Sequence, residues 1–306
     1  MPDLLPDAAA TGVQSSEPSR RHFASDEWPA TTRHARHLAA HYDAVADTHE
    51  QWSGAIRRRV ATRLVDLVTP RRGERVLDIG CGAGAVSAVI SERMHNGGEV
   101  IAVDISPRFL ALARKRLGAS VQFLRSPAEA LMFADTTFDV ATMGDTLVYL
   151  GDPQRGLAEA HRVLRPGGRF ALSTTARSLA TRAQELFFSM LRTLAERHPM
   201  AVPAPPGDRS RFGDGDVLGR LLRTAGFTDV ALETIVSGGR APDGRAWTEL
   251  MMGVGPTPQA LISVLGPERR RRFEAEMATA MRELGDEEAF RYHHAYTLAV
   301  ALRPWA

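Results

Sequence analysis

Short runs rich in β-branched residues alternate with helix-patterned segments from residue 75 onwards, and this alternation constrains the fold more than any other feature. Strands are predicted at 75–79, 100–103, 121–124, 140–143 and 169–173, and helices near 84–94, 107–117 and 153–164. Gly97-Gly98, Gly118 and Pro166-Gly167-Gly168 supply the turns that close those helices. Strand and helix repeated in this order call for a parallel sheet covered on both faces. A sixth strand, reaching about residue 235, follows a helix that Asp214 should cap and Gly226 should end. A closing β-like run at 292–302 makes the expected sheet seven-stranded.

The chain has 306 residues, more than the roughly 250 at which one core stops growing, so additions around the sheet are expected. The periodicity divides it as follows. Residues 1–32 are a compositionally mixed, mobile tail, and 33–70 form two or more helices that cover the ligand site. Residues 71–176 hold the core, which resumes at 214–241 and ends with the strand in 288–306. Helical cap insertions fill 177–213, where 204–208 reads as a loop, and 242–287. The fold class is therefore α/β, a Rossmann-like, seven-stranded, mostly parallel sheet with helices on both faces and helical cap insertions. The apolar residues of the caps, Phe187, Phe188 and Met190 with Trp247 to Met252, read as core or as a covered apolar pocket for an acceptor. Arg269 to Arg272 point around a whole helix and read as solvated.

Composition excludes several chemistries. A formal charge of +2 demands no nucleic acid. Lys115 is the one lysine, which removes lysine Schiff bases, and Cys81 is the one cysteine, which removes intrachain disulfides and cysteine metal clusters. No metal site is expected. No basic stretch leads into an apolar run and no run of about 18 apolar residues occurs, so a cytoplasmic protein without membrane partner is expected.

The chemistry concentrates at Val76-Leu77-Asp78-Ile79-Gly80-Cys81-Gly82-Ala83-Gly84, a strand followed by a Gly-x-Gly-x-Gly turn that opens a helix. Glycines there let the backbone turn tightly and a ligand lie against it. The third glycine comes two residues after the second, one short of the dinucleotide fingerprint. Asp78 beside the turn suits an ammonium group better than a pyrophosphate, so an amino acid derivative is the expected ligand. Asp104 ends the second strand, where a carboxylate accepts ribose hydroxyls; the alternative is an exposed cap for the helix starting near Pro107.

With these residues the chain resembles the class I S-adenosylmethionine-dependent methyltransferases, of the small-molecule type. The resemblance spans roughly 40–175 and includes Phe138-Asp139-Val140, Arg162-Val163-Leu164-Arg165-Pro166-Gly167-Gly168 and, later, Leu221 to Phe227. It implies S-adenosyl-L-methionine as cofactor, with Asp78, Gly80, Cys81 and Gly82 around its methionine part and Asp104 on its ribose. Gly144, at the end of the fourth strand, joins this set. In similar sequences an acid after the third strand meets the adenine amino group, and here Pro127 holds that position. Ser126 or the backbone of Ala128 would substitute, with Ile105 packing on the ring. Tyr42 sits in a Tyr-Asp segment similar to one that closes over the cofactor, or is a helical core aromatic.

Methyl transfer from a sulfonium has an activated leaving group, so positioning supplies much of the catalysis and a base serves only acceptors of high pKa. Tyr149 stands where many similar enzymes carry a histidine, and reads as a substrate contact or a packed aromatic. Asp145 holds cofactor or acceptor, or caps a helix. His293 and His294 open the last strand facing opposite sides, which adds His293 to the catalytic candidates; His161 reads as solvated. The expected function is methylation of a small or medium organic acceptor at O, N or C in secondary, antibiotic-type or quinone-like metabolism, by a monomer or a homodimer. A methyltransferase-like cyclase that keeps the cofactor site is the alternative.

Overall fold

The computed structural model describes residues 33–95, 97–176, 180–197, 210–252, 258, 261–262, 265–285 and 289–305. The tail at 1–32 and the loop at 204–208 lie outside them. Strands β1 (Arg75–Ile79), β2 (Glu99–Asp104), β3 (Gln122–Arg125), β4 (Phe138–Gly144), β5 (Leu164–Thr175), β6 (Thr228–Arg240) and β7 (Arg291–Leu302) form one sheet in the order β3-β2-β1-β4-β5-β7-β6. The first five are parallel, and β7 enters antiparallel between β5 and β6.

Side chains alternate across the sheet and sort the helices onto its two faces. Val76, Val100, Ala102 and Val140 pack with α1 (Arg33–Val68), α2 (Ala85–Met94) and α3 (Pro107–Leu117). Leu77, Ile79, Ile101 and Val103 pack on the opposite face with α4 (Pro153–Val163) and α6 (Gly215–Thr224). Short polar side chains start these helices: Ser106 accepts from the Phe109 N–H, Asp152 from Arg155, and Asp214 from Asp216 and Val217. Pro107 and Pro153 follow their caps at positions where no amide donor is missed.

Three expectations are corrected here. The helices expected over 33–70 are one helix of 36 residues. Gly54 between the two apolar stripes weakens a helix by about 1 kcal/mol without stopping it. The Pro166-Gly167-Gly168 turn lies within β5: pairing with β4 jumps from Leu164↔Phe138 to Arg169↔Val140, and the residues between bulge out. Gly167 donates to the Arg303 carbonyl at 2.9 Å and so ties the bulge to the chain after β7. His161 is half-buried rather than solvated, its ring edge-on to Phe227 at 5.1 Å, because α4 packs against the end of the α6–β6 passage.

The caps contribute α5 (Arg182–Arg197), α7 (Gly244–Met252) and α8 (Gly266–Glu283). Their apolar faces make a separate core of Phe187, Trp247, Met251, Phe273, Met277 and Met281, and Trp247 donates its indole N–H to the Arg291 carbonyl at 3.1 Å. Arg270 and Arg272 pair with Glu274 and Glu276 one turn along α8. Among the described residues no helix is long and apolar enough to cross a membrane.

Candidate active site

The glycine loop leaves β1 with Gly80 and Gly82 in the left-handed region, at φ +71° and +52°. A Cβ on Gly80 would collide with the Thr146 side chain, whereas one on Gly82 would meet open space. The Gly80 and Cys81 amides both donate to the Val103 carbonyl, at 2.8 and 2.9 Å, which holds the loop against β2. Asp104, where β2 ends, completes the tie. Its carboxylate accepts from the Gly82 N–H at 2.9 Å and the Ser106 N–H at 2.8 Å. Ser106 is the cap of α3 and Asp104 is buried, so the alternative of an exposed cap at Asp104 is set aside.

A cavity runs over this loop, across the carboxyl ends of β3, β2, β1, β4 and β5 and onto the antiparallel β7 at Tyr296. At about 4.8 Å per strand the five intervals span roughly 24 Å. On the β3 and β2 flank it is lined by Ser126, Ala128, Glu129, Asp104, Ile105 and Phe109. Gly80, Cys81, Gly82 and the start of α2 form its middle. Gly144, Asp145, Thr146, Tyr149, Ser173 and Tyr296 line the β4, β5 and β7 flank. One side of α1 closes it, with Leu38, Tyr42, Arg57 and Val60 facing in. The Tyr42 ring meets Tyr149 edge-on at 5.5 Å and Phe109 at 5.8 Å. Asp43, the next residue on α1, accepts from the Ser106 hydroxyl at 2.5 Å and the Arg108 amide at 3.1 Å.

Asp145 adopts φ +49°, a left-handed conformation that Asp tolerates better than most side chains. Its amide donates to the Ser173 carbonyl at 2.9 Å, and its carboxylate accepts from the Thr175 hydroxyl at 3.0 Å. It caps no helix; the short turn Leu147–Tyr149 follows Thr146 instead. Burial raises the Tyr42 hydroxyl well above its usual range, helped by Tyr149 and Asp145. Burial and Asp145 likewise raise Tyr296, against a smaller opposing effect of Arg57. Both hydroxyls therefore stay protonated. Burial raises Cys81 too, so its thiol is no nucleophile.

The structure thus brings Tyr42, Gly80, Cys81, Gly82, Asp104, Ile105, Ser126, Ala128, Gly144, Asp145 and Tyr149 to one cavity. Two expected residues are elsewhere. Asp78 is buried beneath the loop, accepting from Ser87 at 2.6 Å and Thr142 at 2.9 Å, because β1 turns its side chain toward α2. Burial pushes its carboxyl up to about 6. His293 pairs with Gly238, and both its backbone groups bond the Gln184 side chain. It sits on the β6–β7 ribbon beside α5, beyond Thr175↔Tyr296, the outermost pair of β5 with β7. Of the two readings of the apolar residues in 177–213 and 242–287, core and acceptor pocket, the first holds: Phe187, Trp247 and Met251 are buried in a core of their own, and among the described residues none of α5, α7 or α8 lines this cavity, which α1 covers.

Sequence reasoning missed Arg57, Glu129, Thr146, Ser173 and Tyr296. Glu129 lay inside the segment read for adenine contacts, so a signal was present; Tyr296 has none until β7 is placed beside β5. Among the described residues no cluster could hold a metal ion. The fit to S-adenosylmethionine rests on the loop and the donor set. Gly82 leaves backbone open to a ligand, and the buried Asp104 carboxylate at the end of β2, with about four acceptor sites, keeps one beyond the Ser106, Gly82 and Ile105 amides that act on it.

Known proteins resemble this chain in sequence and in fold. A family profile described as a methyltransferase domain matches residues 77–172. The chain is 33% identical to a demethylmenaquinone methyltransferase of Clavibacter sepedonicus over 189 residues, 59% of this chain and 75% of that one. It is 30% identical to the ubiquinone/menaquinone biosynthesis C-methyltransferase UbiE of Roseobacter denitrificans over 220 residues, 66% of this chain and 84% of the relative. Among solved structures, the [4+2]-cyclase SpnF shares the fold with a TM-score of 0.56 at 19% identity, over 89% of this chain and 97% of that one.

Proposed function

Because this chain belongs to the class I S-adenosylmethionine-dependent methyltransferases, we propose that it methylates a hydroxylated aromatic or quinol-like small molecule bound at the β4, β5 and β7 flank of its cavity. Bound S-adenosylmethionine supplies a methyl group on a sulfonium, already activated for displacement. In this reading Asp104 accepts the ribose hydroxyls, and Gly80 to Gly82 present backbone to the methionine part. Ile105 covers one face of the adenine, with Ser126 and Ala128 beside it. Tyr42 closes the site from α1, and Gly144 borders it at the end of β4.

The observation that carries the acceptor class is the meeting of Asp145, Tyr149 and Tyr296 below an apolar wall of Leu38, Val60 and Ala61. A phenolic hydroxyl near pKa 10 is a poor nucleophile, as is its ring carbon, until a base takes its proton. Asp145 is the carboxylate on this flank and accepts that proton. Tyr296, held protonated, donates to the acceptor oxygen, and Tyr149 orients the ring. The names of the two relatives, which concern quinone precursors, support this class. About a third of this chain lies outside the span matched to the UbiE relative, which supports an acceptor of its own, as in secondary metabolism. The chain's one cysteine suits the cytoplasm.

The test is a panel of phenols, hydroquinones, amines and carboxylic acids with isotope-labelled S-adenosylmethionine, read as S-adenosylhomocysteine release and product mass. Phenols or hydroquinones should be methylated, and Asp145→Asn should lower kcat by about 10²-fold or more with S-adenosylhomocysteine affinity unchanged. Turnover confined to amines or carboxylic acids overturns the acceptor class, and full activity of the Asn variant removes Asp145 as base.

A further inference from the structure

Among the described residues three carboxylates line the cavity, Asp104, Asp145 and Glu129, and the first two have tasks in the reading above. Glu129 has none, and its position is unusual for an acidic side chain. It is 2% exposed, yet it faces the cavity on the β3 flank beside Ser126 and Ala128. Glutamate is almost never this buried without a partner for its charge. Its Oε1 accepts the Gly151 amide at 2.8 Å. The amides of Glu129 itself and of Asp152 are the other backbone donors acting on it, and burial still raises its carboxyl above the usual range. A carboxylate offers about four acceptor sites, so these amides leave at least one for a ligand.

Two residues earlier stands Pro127, where the resemblance noted in the sequence implies an acid for the adenine amino group. Proline has neither a carboxylate nor an amide N–H. The β3 flank therefore lacks an acid where one is expected and holds a buried, cavity-facing acid one step away in the same loop.

We propose that Glu129 is the group by which this chain selects a 6-aminopurine: Gly151 fixes one carboxylate oxygen, and the carboxylate accepts a hydrogen bond from the exocyclic amino group of the bound nucleoside. The proposal rests on the reading that places the ribose at Asp104, the neighbouring acid on that flank. The competing role for Glu129 is purely structural, tying the loop after β3 to the loop before α4.

Calorimetry on the full chain separates these roles with two ligands, S-adenosylhomocysteine and S-inosylhomocysteine, in which a carbonyl replaces the 6-amino group. The unaltered protein should bind the adenosyl compound roughly tenfold or more tightly, because the carbonyl places a second acceptor against the carboxylate. In Glu129→Gln the adenosyl compound should weaken about tenfold while the inosyl compound holds or gains, since the amide nitrogen can donate to the carbonyl. Equal affinities in the unaltered protein overturn the proposal without recourse to any variant. Equal losses for both ligands in Glu129→Gln also overturn it, in favour of the structural role. If Asp104→Ala keeps full affinity for S-adenosylhomocysteine, the ribose reading fails and takes this proposal with it.

Discussion

At the scale of single residues, two aspartates that both border the glycine loop have opposite fates. Asp104 at the end of β2 opens onto the cavity, while Asp78, inside β1, faces Ser87 and Thr142 beneath it. Asp78 carries a pH signature. Its folded value of about 6 lies above the ordinary 3.8, so its contribution is fully present below about pH 4 and is lost as pH rises through 6. Asparagine cannot ionise. The stability of Asp78→Asn relative to the unaltered protein should therefore improve by about 2 kcal/mol between pH 4 and pH 7, measured by urea unfolding without ligand. A difference independent of pH would show that Asp78 does not titrate in this window. Legibility differed between residues for related reasons. Asp104 was readable because the end of a parallel strand beside a glycine loop is a position defined by sequence alone. Tyr296 and His293 stand three residues apart in one strand, and only the register Thr175↔Tyr296 decides which reaches the cavity.

At the scale of elements, α1 does more than cover. Asp43 shares the amino end of α3 with Ser106, so the helix that closes the cavity is fastened to the loop that carries Asp104 and Ile105. A carboxylate at a helix amino terminus contributes about 1 kcal/mol. Asp43→Ala should lower stability by that amount and speed S-adenosylhomocysteine dissociation several-fold, read by stopped-flow fluorescence. An unchanged dissociation rate would mean that α1 is not the element that must move. The strands and the caps Ser106 and Asp214 could be read locally, because period-two burial and a polar residue before a helix are local signals. The continuity of α1 could not: its stripes are interrupted by polar turns, and packing on α2 and β5 holds what propensity alone would not.

At the scale of the whole molecule, the described residues form a sheet with its two helical faces and a second core built by α5, α7 and α8. The sequence pattern marked the apolar stripe of α5 but not its partner, since such a stripe does not say whether it faces a ligand or another stripe. Trp247 fills the centre of that second core, and removing a buried aromatic costs about 3–5 kcal/mol. Trp247→Ala should thus become sensitive to proteolysis within α5 to α8 while its calorimetric affinity for S-adenosylhomocysteine is unchanged, because among the described residues none of these helices lines the cavity. A parallel loss of affinity would show the two cores to be coupled.

The position of β7 between β5 and β6 also sets an order of assembly. During synthesis β6 leaves the ribosome with β7, the strand it pairs with, some fifty residues behind it, and the wall of the cavity at Tyr296 is still unmade. Five strands can pair as they appear, but the sixth waits for the seventh. A long unpaired edge is exposed in that interval, so the nascent chain is more prone to aggregation between the emergence of β6 and that of β7 than while the first five strands pair.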